Sequence, residues 1–420
     1  MTQPAPDAPK RVILLQRASS YRGQAFKAAA ERLGVEVVIG VDIHPDLAKH
    51  WHVTLNLQFD EPDKAAAAIV EFARRRPVQA VLAVDDSAAL VAAKASRQLG
   101  LRHNSPDAAL AARNKFEMRR MFAAAGVPSP QFRLCQMADN PAQLAAEVRY
   151  PCVVKPLLLS GSRGVIRANN PAEFVDAFRV LARMLAEMAS APGSDQILVE
   201  DFIPGFEVAL EGIIDRGKLK VLALFDKPDP LDGPLFEETI YVTPSRLPAG
   251  VQQAIADCAT QAAAAVGLAV GPVHAELRVN EAGPWLVEIA GRSIGGLCSR
   301  TLNFGLEGIS LEELILRQAI GLNIDSLGRE AQARGVMMIP IPHAGMLRAV
   351  HGVEQAAAVP GIDSVEITAK ANQPLVPLPK GDSYLGFIFA AGSEPGAVET
   401  ALRQAHQQLR FDIEELLPLL

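Results

Sequence analysis

The segment Val153-Val154-Lys155-Pro156 places a lysine at the end of an apolar run, and Ser160-Gly161-Ser162-Arg163-Gly164-Val165 follows within a few residues. A lysine leaving a strand beside a loop of small residues, whose backbone N–H groups can approach an anion closely, is one way to hold a nucleoside triphosphate. The loop lacks the Gly-Lys-Ser/Thr ending of a P-loop, and a hairpin connection also selects Gly and Ser. Taken alone, the segment leaves both readings open. Further charge is placed elsewhere: Lys115 precedes Gly126-Val127-Pro128-Ser129-Pro130, Glu200 closes Ile197-Leu198-Val199, and Glu276 and Glu288 lie on two successive strand-like runs, the second continuing Ile289-Ala290-Gly291-Arg292. ATP carries several negative charges, so a carboxylate can approach its γ-phosphate only if cations neutralise the charge where it develops. Two lysines and an arginine would supply such cations.

These residues need elements to position them. The first hundred residues alternate short apolar runs with helical patterns: Val12 to Leu15, a helix over 23–33, Val35 to Ile39, a helix over 62–75, then Val78 to Val84. This predicts a parallel sheet with helices on both faces. Ser105-Pro106 opens a helix, with serine as N-cap and proline at the first helical position, and a boundary is expected near residue 110. Residues 131–203 read β-α-β-loop-β-α-β, with an amphipathic helix over 171–189. Strands are expected over 207–214, 219–225, 273–279 and 285–289, a loop over Lys227 to Gly233, and an alanine-rich helix over 248–267. Residues 336–420 read as another α/β unit.

Length and composition exclude several classes of function. A chain of 420 residues exceeds a single core of about 250–300 residues, so two to four packed units are expected, on the basis of domains of about 100–150 residues. The net charge is −6, with no basic run and only four tyrosines and two tryptophans; no nucleic-acid partner is expected. No apolar stretch approaches the roughly 20 residues that span a bilayer, and the four-residue apolar run after Lys10-Arg11 is too short for a signal sequence. No membrane partner and a cytoplasmic address are therefore expected. Residues 1–10 read as an unstructured start. The four widely spaced cysteines, Cys135, Cys152, Cys258 and Cys298, read as buried reduced thiols.

The ordered set of lysine, lysine with small-residue loop, Glu200, paired glutamates and arginine resembles the ATP-grasp enzymes over residues 110–320. The resemblance implies an α/β chain with an ATP-grasp fold, an N-terminal Rossmann-like (pre-ATP-grasp) domain and a C-terminal α/β domain. The divisions expected are 1–110, 111–203 (helix and lid subdomain), 204–330 (large subdomain with the magnesium site) and 331–420. It also implies that Lys115 and Lys155 bind ATP phosphates and that Ser160, Gly161, Ser162 and Gly164 belong to a mobile lid. Glu200, Phe202 and Ile203 would form the hinge strand that meets adenine, and Glu207 a ribose contact. Glu276 and Glu288 would hold Mg²⁺ (or Mn²⁺), with Arg292 facing the reacting phosphoryl group as a catalytic residue together with Lys155. One departure stands out: the family's magnesium strand commonly reads Glu-x-Asn-x-Arg, and position 290 is alanine. Magnesium readily keeps several waters, so metal binding survives that loss while metal number does not follow from it.

Three further positions are substrate candidates. His274 shares a strand face with Glu276 and reads either as a site residue or as a packed core histidine. Glu238, in Phe236-Glu237-Glu238, lines a pocket or belongs to a solvated acidic loop. Arg300 closes the Gly-rich turn Ser293 to Arg300 and could clamp a carboxylate. The Glu-Ile-Ala-Gly-Arg-Ser-Ile-Gly-Gly segment, with Gly361-Ile362-Asp363-Ser364-Val365 and Tyr384-Leu385-Gly386-Phe387, resembles L-amino acid ligases, which join small-molecule carboxylates and amines through an acyl phosphate with release of ADP. An ATP-grasp carboxylase or ribosylamine–glycine type ligase is the alternative enzyme, and a regulatory nucleotide binder the non-enzymatic one. A homodimer is the default expectation for such a chain.

Overall fold

The computed structural model describes residues 10–18, 20, 22–50, 53–188, 195–381 and 383–415; residues 1–9 of the expected unstructured start lie outside them. The N-terminal part is a four-stranded parallel sheet in the order Leu55–Asn56, Glu36–Asp42, Arg11–Arg17, Ala80–Ala83. Val12 to Leu15 are fully buried because the sheet is covered on both faces, which is why the run is continuously apolar. Val12 and Leu14 pack with Phe26, Ala29 and Ala30 of the helix Gly23–Leu33. Ile13 and Leu15 pack on the other side with Ala65 and Ile69 of Pro62–Arg75 and with Ala88 and Val91 of Asp86–Leu99.

A second sheet, antiparallel, orders its strands Phe132–Gln136, Gln196–Asp201, Cys152–Pro156, Ile166–Ala168. The helix Pro171–Glu187 lies on it. Its N-cap Asn170 accepts the N–H of Glu173, and Pro171 opens the first turn, as the sequence chemistry requires. Phe174, Phe178, Leu181 and Leu185 recur at helical spacing and pack onto Cys152, Val154, Ile197 and Val199.

The largest sheet has eight strands: Gly283–Ala290, Gly271–Asn280, Phe206–Asp215, Lys218–Asp226, Ile240–Thr243, Ala333–Ile339, Gly386–Gly392 and Ile362–Ile367. Residues 331–420 therefore add three strands to the central sheet. Ile240–Thr243, to which the sequence reading gave no element, pairs with Lys218–Asp226 through Val242 and Asp226, and with Ala333–Ile339 through all four of its residues. That short strand welds the C-terminal strands onto the central sheet. Ala249–Val266 covers one part of the sheet and Pro395–Gln407 another. Strands Gly345–His351, Pro374–Leu375 and Arg410–Glu414 form a separate small sheet. No helix among the described residues is long and apolar enough to cross a membrane.

Candidate functional site

A cavity of about 370 Å³ opens where the three sheets meet, within the size range of small-molecule sites. Lys115 begins the helix Lys115–Ala125, whose N-cap Asn114 accepts N–H groups from Phe116 and Glu117. Lys115 is buried; its Nζ donates to the Leu159 carbonyl at 2.7 Å and lies 3.2 Å from Glu288 Oε2. Lys155, also buried, lies 2.5 Å from Glu200 Oε2. Glu200 in turn accepts from Arg119 Nε at 2.7 Å, and Arg119 is completely buried. Burial works against charge on Glu200, but Arg119 and Lys155 outweigh it and hold its carboxyl below the ordinary range. The Glu200 side chain is thus held by two cations, and it lines the cavity together with Phe202 and Ile203. The Phe202 ring lies against the guanidiniums of Arg167 and Arg278, at 4.0 and 4.9 Å from its centroid, and 6.4 Å from the ring of Phe236.

The small-residue loop lines the same cavity through Ser160, Gly161, Ser162 and Val165. Three of its residues have positive φ: Gly161 (64°), Ser162 (54°) and Gly164 (73°). Gly164 itself faces away from the cavity; a Cβ there would meet Leu181 at 3.0 Å and Pro156 at 3.2 Å. Its N–H donates to the Pro379 carbonyl at 2.9 Å, and Arg163 Nε donates to the Lys380 carbonyl at 2.7 Å. The expected lid is therefore anchored, in this conformation, to the C-terminal segment 377–381.

Glu276 and Glu288 are direct cross-strand partners, which sets their Cβ atoms about 5 Å apart on one face. Both line the cavity, and this pair fits a divalent cation with oxygen ligands and retained water. A second set of carboxylates, Glu207, Glu238 and Glu276, also has oxygens within 4.8 Å of one another, but a buried ammonium stands among them. Lys227 Nζ lies 2.9 Å from Glu207, hydrogen-bonds Glu238 and lies 3.7 Å from Glu276. Glu207, expected as a ribose contact, has its carboxylate engaged by Lys227. Glu238 lines the cavity and also accepts from Tyr241 Oη. His274 bridges Glu211 (Nδ1, 3.1 Å) and Glu276 (Nε2, 3.4 Å). Burial opposes charge on this imidazole, yet its hydrogen bonds to the two carboxylates raise its pKa to about 9.

Arg292 faces the cavity, with its Nε 2.7 Å from Asp86 Oδ2. Asp86 opens the helix Asp86–Leu99, so the N-terminal sheet supplies the partner of an arginine more than 200 positions away. Arg22 adds a second tie, donating to the Val84 carbonyl and to Ser293 Oγ, each at 2.6 Å. Arg300 is displaced from the expected role. It lies on the outer side of the 3-10 turn Cys298–Thr301, hydrogen-bonded to Glu366 and set 4.2 Å over the Phe389 ring, and is absent from the cavity wall. The turn's glycines do reach the cavity, through Gly295 and Gly296. All four cysteines are buried and unpaired by disulfides.

The residues that sequence reasoning missed are Arg119, Lys227, Asp86 and Arg22. Lys227 carried a usable signal: it follows the apolar run Val221 to Phe225 with one acid, Asp226, between them. Asp86 and Arg22 carried none, because each gains its meaning from a remote partner.

Comparison with known proteins bears on this arrangement. A model of the ATP-grasp domain matches residues 148–301, one of the ATP-grasp N-terminal domain residues 26–103, and one of L-amino acid ligase C-terminal domain 2 residues 337–414. A D-alanine–D-alanine ligase of Gloeobacter violaceus is 29% identical over 74% of this chain and 95% of its own length. An alanine–anticapsin ligase of Bacillus subtilis is 26% identical over 60% of this chain and 56% of its own. Among solved structures, an L-amino acid ligase from Bacillus licheniformis superposes with a TM-score of 0.78 at 24% identity, covering 97% of this chain and all of that one; this is a likeness of fold.

Proposed function

We propose that this chain, matched in its three parts by models of the ATP-grasp N-terminal domain, the ATP-grasp domain and L-amino acid ligase C-terminal domain 2, is a carboxylate–amine ligase that activates a small-molecule carboxylate, that of an amino acid, as an acyl phosphate and passes the acyl group to an amine with release of ADP and phosphate. The observation that carries this reading is the convergence on one cavity of Lys115, Lys155, Glu276 and Glu288, from four different elements, and of Arg292 from the turn that follows the last of them. Lys115 and Lys155 neutralise the triphosphate, and Phe202 and Ile203 provide the flat apolar wall for adenine. Glu276 and Glu288 would hold a divalent cation, which would supply charge neutralisation to the triphosphate. Arg292, oriented by Asp86, presents its remaining donors to the phosphoryl group in transfer, where a fixed dipole stabilises developing charge without reorganisation. The 160–165 loop, latched to segment 377–381, excludes water from the acyl phosphate.

The chemistry balances simply. A carboxylate oxygen attacks the γ-phosphorus, the bond to the β–γ bridging oxygen breaks, and ADP leaves; a neutral amine then attacks the acyl carbon, loses a proton and expels phosphate. The test is release of ADP and phosphate with ATP, Mg²⁺ and a panel of amino acids, with hydroxylamine present to capture the activated acyl group as a hydroxamate. Hydroxamate formation supports the reading. ADP release that depends on bicarbonate would transfer the chain to the carboxylases, and no release with any carboxylate would remove the ligase reading.

A further inference from the structure

The cavity has a second end, built by the N-terminal sheet. Its strand order places Arg11–Arg17 beside Ala80–Ala83, with the chain having gone outward through the other two strands in between. The crevice outside the carboxyl ends of two such strands is where open parallel sheets receive ligands. Arg17 ends the first strand, and Asp85, Asp86 and Ser87 follow the second; all four line the cavity, together with Ser20, Arg22 and Arg113.

Charge is unbalanced at this end. Asp86 is committed to Arg292. Arg22 donates to neutral oxygens, the Val84 carbonyl and Ser293 Oγ. Among the described residues, the Arg17 side chain reaches only Ser87 Oγ, at 3.2 Å. Arg113, half-buried in the last turn of Pro106–Arg113, makes no hydrogen bond or ion pair with any described residue. Among the described residues lining this end, three guanidiniums therefore stand with one acid that forms no ion pair, Asp85, whose carboxylate accepts the Arg17 N–H at 3.4 Å. A guanidinium has five N–H donors and does not give up its proton, and leaving such a group half-buried and unpaired is costly. Burial lowers the Arg113 pKa, with the Arg17 charge adding to the effect against Asp86.

We propose that Arg113, supported by Arg17, forms a subsite for a second anionic group on the substrate, so that the activated molecule carries an additional carboxylate or phosphate beyond the carboxylate that reacts. The inference rests on the ligase reading for its statement of which molecule is bound, but the subsite itself rests on the unpaired arginines. Arg292 receives the reacting group, and a simple amino acid is otherwise a zwitterion whose ammonium cancels its charge; the surplus positive charge is accounted for by one more anion. A bidentate guanidinium pair fits either a carboxylate or a phosphate.

The test uses matched probes that differ in that one charge: aspartate against asparagine, glutamate against glutamine, and O-phosphoserine against serine. Each is titrated calorimetrically into the full chain in the presence of Mg²⁺–ADP, and each is assayed for ADP release. The expected result is that at least one anionic member binds tenfold or more tightly than its neutral partner. Arg113→Gln should then abolish that preference while leaving the KM for ATP within twofold, and Arg113→Lys should restore part of it. Preference for aspartate or glutamate identifies a dicarboxylate, and preference for O-phosphoserine a phosphate. Equal binding of charged and neutral partners by the unaltered protein would overturn the proposal. So would a preference that persists in Arg113→Gln, or a tenfold rise in KM for ATP in that variant, which would place Arg113 on the nucleotide. If no probe releases ADP, the ligase reading falls, while the calorimetric comparison still decides the subsite.

Discussion

The two ends of the cavity handle charge in opposite ways. At the end formed by the central and four-stranded sheets, each cation meets a carboxylate: Lys115 with Glu288, Lys155 with Glu200, Lys227 with Glu207 and Glu238, and Arg119 with Glu200. At the end formed by the N-terminal sheet, the guanidiniums of Arg17, Arg22 and Arg113 meet neutral oxygens or, among the described residues, nothing. Paired cations are held in place before any ligand arrives, which suits a nucleotide whose phosphates must be aligned for reaction. Unpaired ones remain available to a ligand that varies, which suits the part of a site that selects its substrate.

If the paired end is preorganised for phosphoryl transfer, removing one of its members should cost most. Lys155→Ala and Glu288→Ala are each expected to lower ADP release by about 10²–10³-fold, the loss typical of one fixed charge-stabilising group, in proteins whose circular dichroism is unchanged. Activity retained in either variant would show that the cavity has been assigned to the wrong chemistry. Glu288→Ala should in addition weaken Mn²⁺ binding measured by electron paramagnetic resonance, a readout that does not depend on turnover.

The next effect is on stability rather than rate. Arg119 is 0% exposed, holds Glu200 through Nε at 2.7 Å and also donates to the Val287 carbonyl. Arg119→Met leaves Glu200 with Lys155 alone in a buried setting, and breaking a buried pair in this way costs about 3–5 kcal/mol. Urea unfolding followed by circular dichroism should show that loss; a change under 1 kcal/mol would mean that the paired end is not rigid. Arg22→Met should cost less, about 1–3 kcal/mol for the two acceptors, Val84 O and Ser293 Oγ, left without their donor. Its particular signature should be a looser approach of the N-terminal sheet to the 291–296 turn, read as faster amide exchange there.

The same contrast explains which parts were legible in the sequence. Lys115, Lys155, Glu288 and Arg292 announce themselves because each sits at or beside a local boundary, a strand end or a helix start, and Glu276 because a charge interrupts an apolar strand. The parallel sheet and the helix Pro171–Glu187 were legible for the same local reason, through their periodicity and caps. Asp86 was not legible as a site residue, because its partner Arg292 lies 206 positions away and leaves no local trace. Ile240–Thr243 escaped because a four-residue strand between two sheet neighbours takes its identity from pairing rather than from its own pattern. Arg300 shows the converse error: a Gly-rich turn correctly located the cavity wall at Gly295 and Gly296, but the turn carries residue 300 round to the opposite side.

Arg300 also supplies the smallest expected effect and the control for the whole comparison. Its guanidinium is 40% exposed, paired with an equally exposed Glu366, and stacked over Phe389. An exposed ion pair contributes about 0–1 kcal/mol, and a solvated cation–π contact about 0.5–1 kcal/mol. Arg300→Ala is therefore expected to lower unfolding stability by about 1 kcal/mol, the ion pair and the ring contact sharing one solvent-screened side chain, and to leave ADP release within twofold. The stability loss should shrink as salt rises from 50 mM to 1 M, because the screening length falls to about 3 Å at the higher value. A tenfold rise in KM for the carboxylate in Arg300→Ala would return this arginine to the substrate and remove the reason for looking to Arg113 as the anion-binding group.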